Sequence, residues 1–251
     1  NGARLLSDSK GDEDVRVFVM AAVKHSGYAL RYADEDLKKD REIVLAAVKE
    51  NGDALRYADE LQDDHEIVLA AVNKDGYALR YADEDLKKDR EIFLAAVTRS
   101  GQVLRYADAL LKKDREIVLA AVNQDGYALE YADEDLKKDR AFIMSAVAQS
   151  GYALLWADAL FWRDREVVLA AVTQSGDALN YADALFWRDR EVVLAAVTQN
   201  GMALAWANES LRRDLLIVLA AVVMDRDALE FAHVSLKKNP VIVKAVAAQL
   251  R

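Results

Sequence analysis

A unit of about 25 residues recurs ten times in this chain of 251 residues, and almost every residue belongs to one copy. Each copy reads D-R-E-I-V-L-A-A-V, three polar positions, G-x-A-L-x-Y-A-D, two further residues and L-K-K. The spacing is 25 residues throughout, except for one copy of 24. We number the repeats one to ten by the last residue of the apolar run: Val23, Val48, Val72, Val97, Val122, Val147, Val172, Val197, Val222 and Ala247. A fixed period of this length is typical of solenoid proteins, in which each repeat covers the apolar face of its neighbour.

The apolar run of each repeat predicts a short α-helix. Asp40 precedes one such run as an N-cap acceptor, and Glu42 places negative charge in the first turn, where the helix dipole favours it. The run 43–48 is apolar on every side, so we expect it to form an inner layer that both neighbouring repeats cover. In repeat ten, Asn239 and Pro240 combine a capping residue with a proline at the first helical position.

A glycine follows the apolar run in repeats one to eight, as in Asn51-Gly52. A polar residue and a glycine at the end of a helix predict a left-handed C′ residue. From about residue 53 to 58 the pattern x-A-L-x-Y-A predicts a second helix with Leu55 and Tyr57 facing inward. The aspartate that follows, such as Asp34, predicts another cap and a single turn. Each repeat is therefore expected to form helix, tight turn, helix and short turn.

The alternative fold is one β-strand per repeat, as in a leucine-rich horseshoe, since several apolar positions are β-branched. Paired alanines are poor in strands, and the capping residues fit helix starts. We therefore predict an all-α fold, an α-solenoid of about ten 25-residue helix-turn-helix repeats. Residues 1–251 are expected to form a single repeat array. It would have a degenerate N-terminal unit at 1–22, regular repeats at 23–238 and a C-terminal capping helix at 239–251.

The segment from Asp164 to Phe186, D-R-E-V-V-L-A-A-V-T-Q-S-G-D-A-L-N-Y-A-D-A-L-F, resembles the domain of unknown function 4116 repeat family. The likeness covers nearly the whole chain through the spacing of D, AAV, G, AL and YA. Departures are Arg226 in the glycine position, Ser7 in the aromatic position and Val15 in the capping position. The resemblance implies a helical array and implies no activity, cofactor or site residue.

Composition excludes several classes of function. The net charge is −9 and the isoelectric point is near 5.0, which argues against nucleic acid and against adsorption to anionic lipid. No cysteine is present to form a disulfide or a thiolate metal site. The longest apolar run, 215–224, is half the roughly 20 residues that span a bilayer. No targeting pattern indicates a compartment. A start without methionine and in mid-repeat is expected of a processed product or of a fragment of a longer array.

No motif in the chain predicts catalysis or metal binding. Acidic triplets such as 34–36 fit capped, solvated helix starts better than a cation site. His25, His65 and His233 occupy unrelated repeat positions, whereas a metal or catalytic site needs side chains that converge. The serines have no paired base. We expect no enzyme activity, cofactor, metal or small-molecule substrate.

The informative positions are exposed ones that differ between repeats. The fourth residue of the second helix changes from arginine to a mixed set: Arg31, Arg56, Arg80 and Arg105, then Glu130, Leu155, Asn180, Ala205 and Glu230. The Leu-Lys pair of the short turn becomes Phe-Trp in repeats six and seven, and Leu-Leu replaces Arg-Glu in repeat nine. We predict a partner-binding surface from these substitutions: Leu155, Phe161, Trp162, Phe186, Trp187, Leu215 and Leu216. Exposed tryptophans are typical of binding hot spots, and the alternative is that they fill a local packing gap.

These features favour a non-catalytic protein–protein interaction scaffold whose partner is another protein or protein complex. It would act as a peripheral or linker subunit of a larger assembly, compatible with contact to a membrane complex that it does not enter. The alternative is a regulatory or effector module excised from a larger multidomain enzyme.

Overall fold

The computed structural model of the protein describes residues 2–248, with side chains described for residues 13–248. Asn1, the side chain of Ser7 and the last three residues of the predicted capping helix lie outside this part of the chain. All regular secondary structure in the described residues is helical. The α-helices are α1 (Gly2–His25), α2 (Glu35–Lys38), α3 (Arg41–Glu50), α4 (His65–Lys74), α5 (Arg90–Arg99), α6 (Arg115–Gln124), α7 (Glu134–Lys138), α8 (Arg140–Gln149), α9 (Arg165–Gln174), α10 (Arg190–Gln199), α11 (Leu215–Met224) and α12 (Pro240–Ala248). The prediction of an all-α fold is confirmed.

The second helix of each repeat is a 3₁₀-helix that begins at the glycine position. These helices are Gly27–Tyr32, Gly52–Tyr57, Gly76–Tyr81, Gly101–Tyr106, Gly126–Tyr131, Gly151–Trp156, Gly176–Asn180, Gly201–Trp206 and Arg226–Phe231. A connector then leads to the next repeat. In repeats one to eight the connectors contain α2, α7 or a short 3₁₀-helix: Asp59–Leu61, Leu86–Lys88, Leu111–Lys113, Ala159–Arg163, Ala184–Arg188 and Leu211–Arg213. Runs of 3₁₀-helix this long are uncommon because their hydrogen bonds are poorly aligned, so packing between repeats must favour them.

The chain divides into two compact units, residues 1–124 and residues 125–251. In the first unit α1, α3, α4, α5 and α6 pack in succession. In the second unit α8, α9, α10, α11 and α12 do the same. We call these the inner helices. Each unit is thus a helical solenoid segment, while the assignment of the whole chain to one array stays a prediction.

The inner helices are capped and buried as the sequence predicts. Asp40 accepts hydrogen bonds from the backbone N–H groups of Glu42 and Ile43 at 2.9 and 3.1 Å. Ile43, Val44, Ala47 and Val48 are fully buried. Positions i, i+1, i+4 and i+5 share one broad face of the helix, and the burial of this face makes the inner helices the hydrophobic core.

The predicted cap at the start of α12 is also confirmed. Asn239 accepts from the N–H of Val241 at 2.9 Å, and Pro240 is the first helical residue. None of the helices within residues 2–248 is both long and apolar enough to cross a bilayer.

The predicted left-handed conformation of the glycines is wrong. No glycine among the described residues has a positive φ. The glycine position instead lies against the next inner helix: a Cβ atom added at Gly52 would lie 2.5 Å from the carbonyl oxygen of Ala71. Glycine is required there because the two backbones approach closely. Arg226, which takes this position in repeat nine, is exposed.

The prediction that both Leu55 and Tyr57 face inward is half correct. Leu55 is fully buried, but Tyr57 is only partly covered. The tyrosines at this position in repeats one and four, Tyr32 and Tyr106, are 77% and 61% exposed. The aromatic column therefore lies on the surface, where it can take part in binding.

Candidate interaction surfaces

An ion-pair ladder joins successive inner helices. Arg140 donates from Nε to Asp164 at 2.7 Å and from Nη2 to Glu166 at 2.6 Å, so the first residue of one inner helix bridges the aspartate and glutamate of the next D-R-E motif. The hydrogen bond from Arg140 holds the pKa of the Asp164 carboxyl below its usual range. The same bridge begins at Arg16, Arg41, Arg90 and Arg165. The caps were predicted from the sequence but the bridge was not, although the recurrence of D-R-E at the repeat period is a signal for it.

The ladder ends at repeat nine. Arg190 contacts Asp214 at 3.1 Å, but Leu216 takes the place of the glutamate. Leu215 and Leu216 are exposed, and so is Val241 at the position equivalent to Leu216 in repeat ten. Replacing charge by leucine thus leaves an apolar patch at the start of α11 and α12.

Trp162 and Trp187 are half-buried. They are therefore less exposed than was predicted from the sequence. The indole N–H of Trp162 donates to the carbonyl of Leu154 at 2.9 Å, and that of Trp187 donates to Leu179 at 3.1 Å. At this position in repeat five, Lys137 Nζ donates to the carbonyl of Glu130 at 2.7 Å. Each of these side chains donates to a backbone carbonyl near the end of its 3₁₀-helix.

The tryptophans therefore keep a structural hydrogen bond and add an apolar ring. Phe161 and Phe186 beside them are 7% and 3% exposed. These two rings support the surface from below and cannot themselves present much area to a partner.

Exposed leucines extend the surface around the tryptophans. Leu160 is 76% exposed and Leu185 is 52% exposed, at a position that holds aspartate in repeats one, three and five. Trp206 is also exposed, and its ring centroid lies 6.4 Å from that of Trp187. Leu155 is half-buried. We define the apolar strip as these residues of the second unit: Leu155, Leu160, Trp162, Leu185, Trp187 and Trp206.

Backbone hydrogen bonds hold the strip together. The N–H of Asp183 donates to the carbonyl of Trp162 at 2.9 Å, and the N–H of Asn208 donates to Trp187 at 2.8 Å. These bonds join the connectors of adjacent repeats, so equivalent side chains lie side by side. The strip is a rigid surface and does not depend on a mobile loop.

In the first unit, the equivalent face has arginine and tyrosine. The guanidinium carbon of Arg56 lies 5.2 Å from the ring centroid of Tyr57 and 5.8 Å from that of Tyr81. Arg80 lies 4.6 Å from Tyr81. We define the arginine–tyrosine ladder by the following residues: Tyr28, Arg31, Tyr32, Arg56, Tyr57, Arg80, Tyr81, Arg105 and Tyr106. Cation–π contact fixes the side chains of this ladder.

Three tyrosines of the second unit form a separate cluster. The rings of Tyr127 and Tyr152 stack with centroids 5.4 Å apart, and the hydroxyl groups of Tyr127 and Tyr181 are 3.4 Å apart. Burial, followed by the hydrogen bond to Tyr127, raises the pKa of Tyr181 to about 12. The Tyr181 hydroxyl therefore stays protonated at neutral pH, and the cluster is one of packing and hydrogen-bonding groups.

The histidines lie apart from one another. His65 takes the arginine position of the ion-pair ladder, 3.9 Å from Asp89 and Glu91, while His233 contacts Ser235. Within the described residues, no three His, Asp or Glu side chains are grouped so that they could hold a metal ion. The exposed surfaces thus offer binding chemistry based on apolar rings and on arginine.

A family model described as "Domain of unknown function (DUF4116)" matches four consecutive segments of the chain: 18–62, 64–112, 114–162 and 164–212. Each segment spans about two of the 25-residue repeats. The match accords with the resemblance seen in the repeat motif and extends through repeat eight. No curated protein and no solved structure matches the chain significantly.

Proposed function

The chain belongs to the DUF4116 family, and we propose that it is a non-catalytic scaffold that binds another protein through the apolar strip of repeats six to eight. The observation that carries this proposal is the strip itself. Leucines and tryptophans lie on the surface there, at positions that hold aspartate and lysine in other repeats. Within such a scaffold the chain would serve as a peripheral or linker subunit of a larger assembly.

The tryptophan side chains are held in place, and a partner would remove their apolar area from water; both properties favour binding at the strip. Trp162 and Trp187 are fixed by hydrogen bonds to the backbone, so they lose little conformational freedom when a partner covers them. Tryptophan is enriched among residues that dominate binding energy. A patch of this kind is costly to leave in water, and a partner protein removes that cost.

The charged side chains of the core motif support a structural role for the rest of the repeat. Asp164, Glu166 and Arg140 are bonded to each other and to the helix start. Since these groups already satisfy one another, the proposal includes no catalytic step.

The test is a variant that restores the residues of other repeats. We would combine Trp162→Lys and Trp187→Lys with Leu160→Asp and Leu185→Asp, which leaves the net charge unchanged. Lysine at this position can donate to a neighbouring backbone carbonyl, as Lys137 does to that of Glu130, so the fold is expected to survive. The control is Leu110→Asp, which removes an equally exposed leucine at the same repeat position in the first unit.

Proteins retained from extracts of the source by affinity purification would be quantified for the wild type, the strip variant and the control. We expect a partner that the wild type and the control retain and the strip variant loses. Purified partner would then be titrated against all three. Equal retention by the strip variant, with its helical content unchanged, would show that the partner docks elsewhere.

A second variant, Leu215→Arg with Leu216→Glu, restores the D-R-E motif of repeat nine. If the partner contact extends to the start of α11, this variant weakens binding as well. If it binds as the wild type does, the contact is limited to the apolar strip.

A further inference from the structure

We infer that the arginine–tyrosine ladder of the first unit is a second binding surface, whose ligand is an extended acidic peptide segment with one apolar or aromatic anchor residue. This inference goes beyond the proposed function, because it concerns other repeats and a ligand of different chemistry. It rests on a pocket within the ladder, on two ladder arginines that form no ion pair with the described side chains, and on carboxylates beside the ladder that disfavour a nucleic acid.

The pocket lies between the 3₁₀-helices of repeats three and four. Its volume is about 180 Å³. Its floor is apolar and buried, formed by Leu79, Phe93 and Val103. Its rim includes Arg80 and Tyr106. An apolar cavity of about 150 Å³ can hold a benzene ring, so this pocket accommodates a single aromatic or aliphatic side chain.

The contacts of the ladder differ on the two sides of repeat three. Arg56 lies over both Tyr57 and Tyr81 and fills the space between repeats two and three. Arg80 lies over Tyr81 and turns back to form an ion pair with Asp53 at 3.1 Å. The pocket opens on the other side, between Arg80 and Tyr106.

Arginines on both sides of the pocket are available to an anion. Arg56 and Arg105 are exposed and lie over tyrosine rings, and among the described side chains neither has a carboxylate within ion-pair distance. A guanidinium held over a ring keeps its N–H donors at its edge, where they can bind a carboxylate in bidentate fashion. The ring contact fixes the donors before the ligand arrives.

The distance between Arg56 and Arg105 sets the separation of the acidic residues in the ligand. Arg56 and Arg105 are two repeats apart, or about 20 Å if adjacent helices pack about 10 Å apart. An extended peptide covers that distance with about six residues. Two acidic residues about six positions apart, with an apolar residue between them, would reach both arginines and the pocket.

Charge favours a peptide over a nucleic acid. The first unit contains 20 lysine and arginine residues against 25 aspartate and glutamate residues. Asp53 and Glu84 lie next to the ladder, paired with Arg80 and Lys87. A continuous phosphate backbone would meet these carboxylates, while a peptide with a few acidic groups can avoid them.

The test uses the full chain and a fluorescent peptide with glutamates about six residues apart, phenylalanine midway and glycine or serine elsewhere. Binding would be measured by anisotropy at low ionic strength and at about 0.15 M salt. Matched peptides replace glutamate by glutamine or phenylalanine by alanine. A single-stranded oligonucleotide of similar length is the competing ligand.

Two protein variants isolate the ladder. Arg56→Gln with Arg105→Gln removes the two arginines, and Lys49→Gln with Arg99→Gln removes the same charge from the exposed ends of α3 and α5. We expect saturable binding to the wild type, a loss of about tenfold with the ladder variant and with either altered peptide, and a change of less than about twofold with the control. The apolar-strip variant should bind the peptide as the wild type does.

Three results would overturn the inference. They are no saturable binding of the acidic peptide, equal weakening by the ladder variant and its control, and tighter binding of the oligonucleotide than of the peptide. None of them bears on the apolar strip, so failure here is distinguishable from failure of the proposed function.

Discussion

The two units present different chemistry at the same positions of the same repeat. The fifth residue of the 3₁₀-helix is Arg56 in the first unit and Leu155 in the second, and the connector residue after Leu86 or Phe161 changes from lysine (Lys87) to tryptophan (Trp162). The buried positions do not change in this way, since Leu55 and Leu154 are both fully buried. One scaffold thus supports a cationic, aromatic face in one unit and an apolar face in the other. Exposed positions are free to diverge because they contribute little to the packing between repeats.

The largest expected effect on stability comes from substitutions at the glycine position, which both units share. Gly52→Val in the first unit and Gly176→Val in the second each place a side chain within 2.5 Å of a backbone oxygen of the next repeat. We expect each to lower the free energy of unfolding by about 3 kcal/mol or more. Urea denaturation followed by circular dichroism would measure it. If the free energy of unfolding falls for the variant of one unit only, the packing at the glycine position is not equivalent in the two units.

Substitutions at Trp162 should have an intermediate effect on stability, and comparing two of them separates the role of the ring in packing from that of its hydrogen bond. Trp162→Ala removes both the ring and the donor to Leu154, and we expect a loss of about 2 kcal/mol. Trp162→Lys keeps a donor, so its cost should stay below about 1 kcal/mol. Thermal and urea denaturation of both variants would measure the two losses of stability. If lysine is as destabilising as alanine, the ring serves mainly to fill a packing gap.

The smallest expected effect concerns the ion-pair ladder, which both units contain. Arginine hydrogen bonds lower the pKa values of Asp64 and Asp114 in the first unit and of Asp164 and Asp189 in the second. A lowered pKa in the folded state contributes stability above the ordinary aspartate value of about 3.9, and that contribution is lost as the pH falls through the folded-state pKa.

Arg41→Gln and Arg140→Gln should therefore reduce stability modestly at neutral pH and make it less dependent on pH below about 4. Denaturation midpoints measured from neutral pH into the acid range would check this. An unchanged pH profile in both variants would show that solvent screens these pairs completely.

Much of the local structure follows from the sequence. The period, the apolar runs and the aspartates before them predicted the inner helices and their caps, because these features depend on residues close together in the chain. The divergent positions also pointed to the tryptophans. Their half-buried state was not predictable, since the acceptor of Trp162 is a carbonyl eight residues away whose position depends on the 3₁₀-helix.

The exposed leucines of the strip and the pocket beside Tyr106 were missed for a related reason. Leu160 reads as one more apolar residue beside Phe161 until the structure shows that one is exposed and the other is buried. The pocket lies beside Arg80, whose ion pair with Asp53 of another repeat is a contact that no local sequence pattern encodes.

By itself the sequence determined the number of repeats, their helical character and the residues that form the core, because apolar periodicity and capping are local properties. The tertiary structure decided the 3₁₀ form of the second helix, the close approach at the glycines and the arginine bridges between repeats. The glycine contacts and the arginine bridges join residues about 20 to 26 positions apart, and the 3₁₀ form is favoured by packing between repeats, so all three depend on how neighbouring repeats stack.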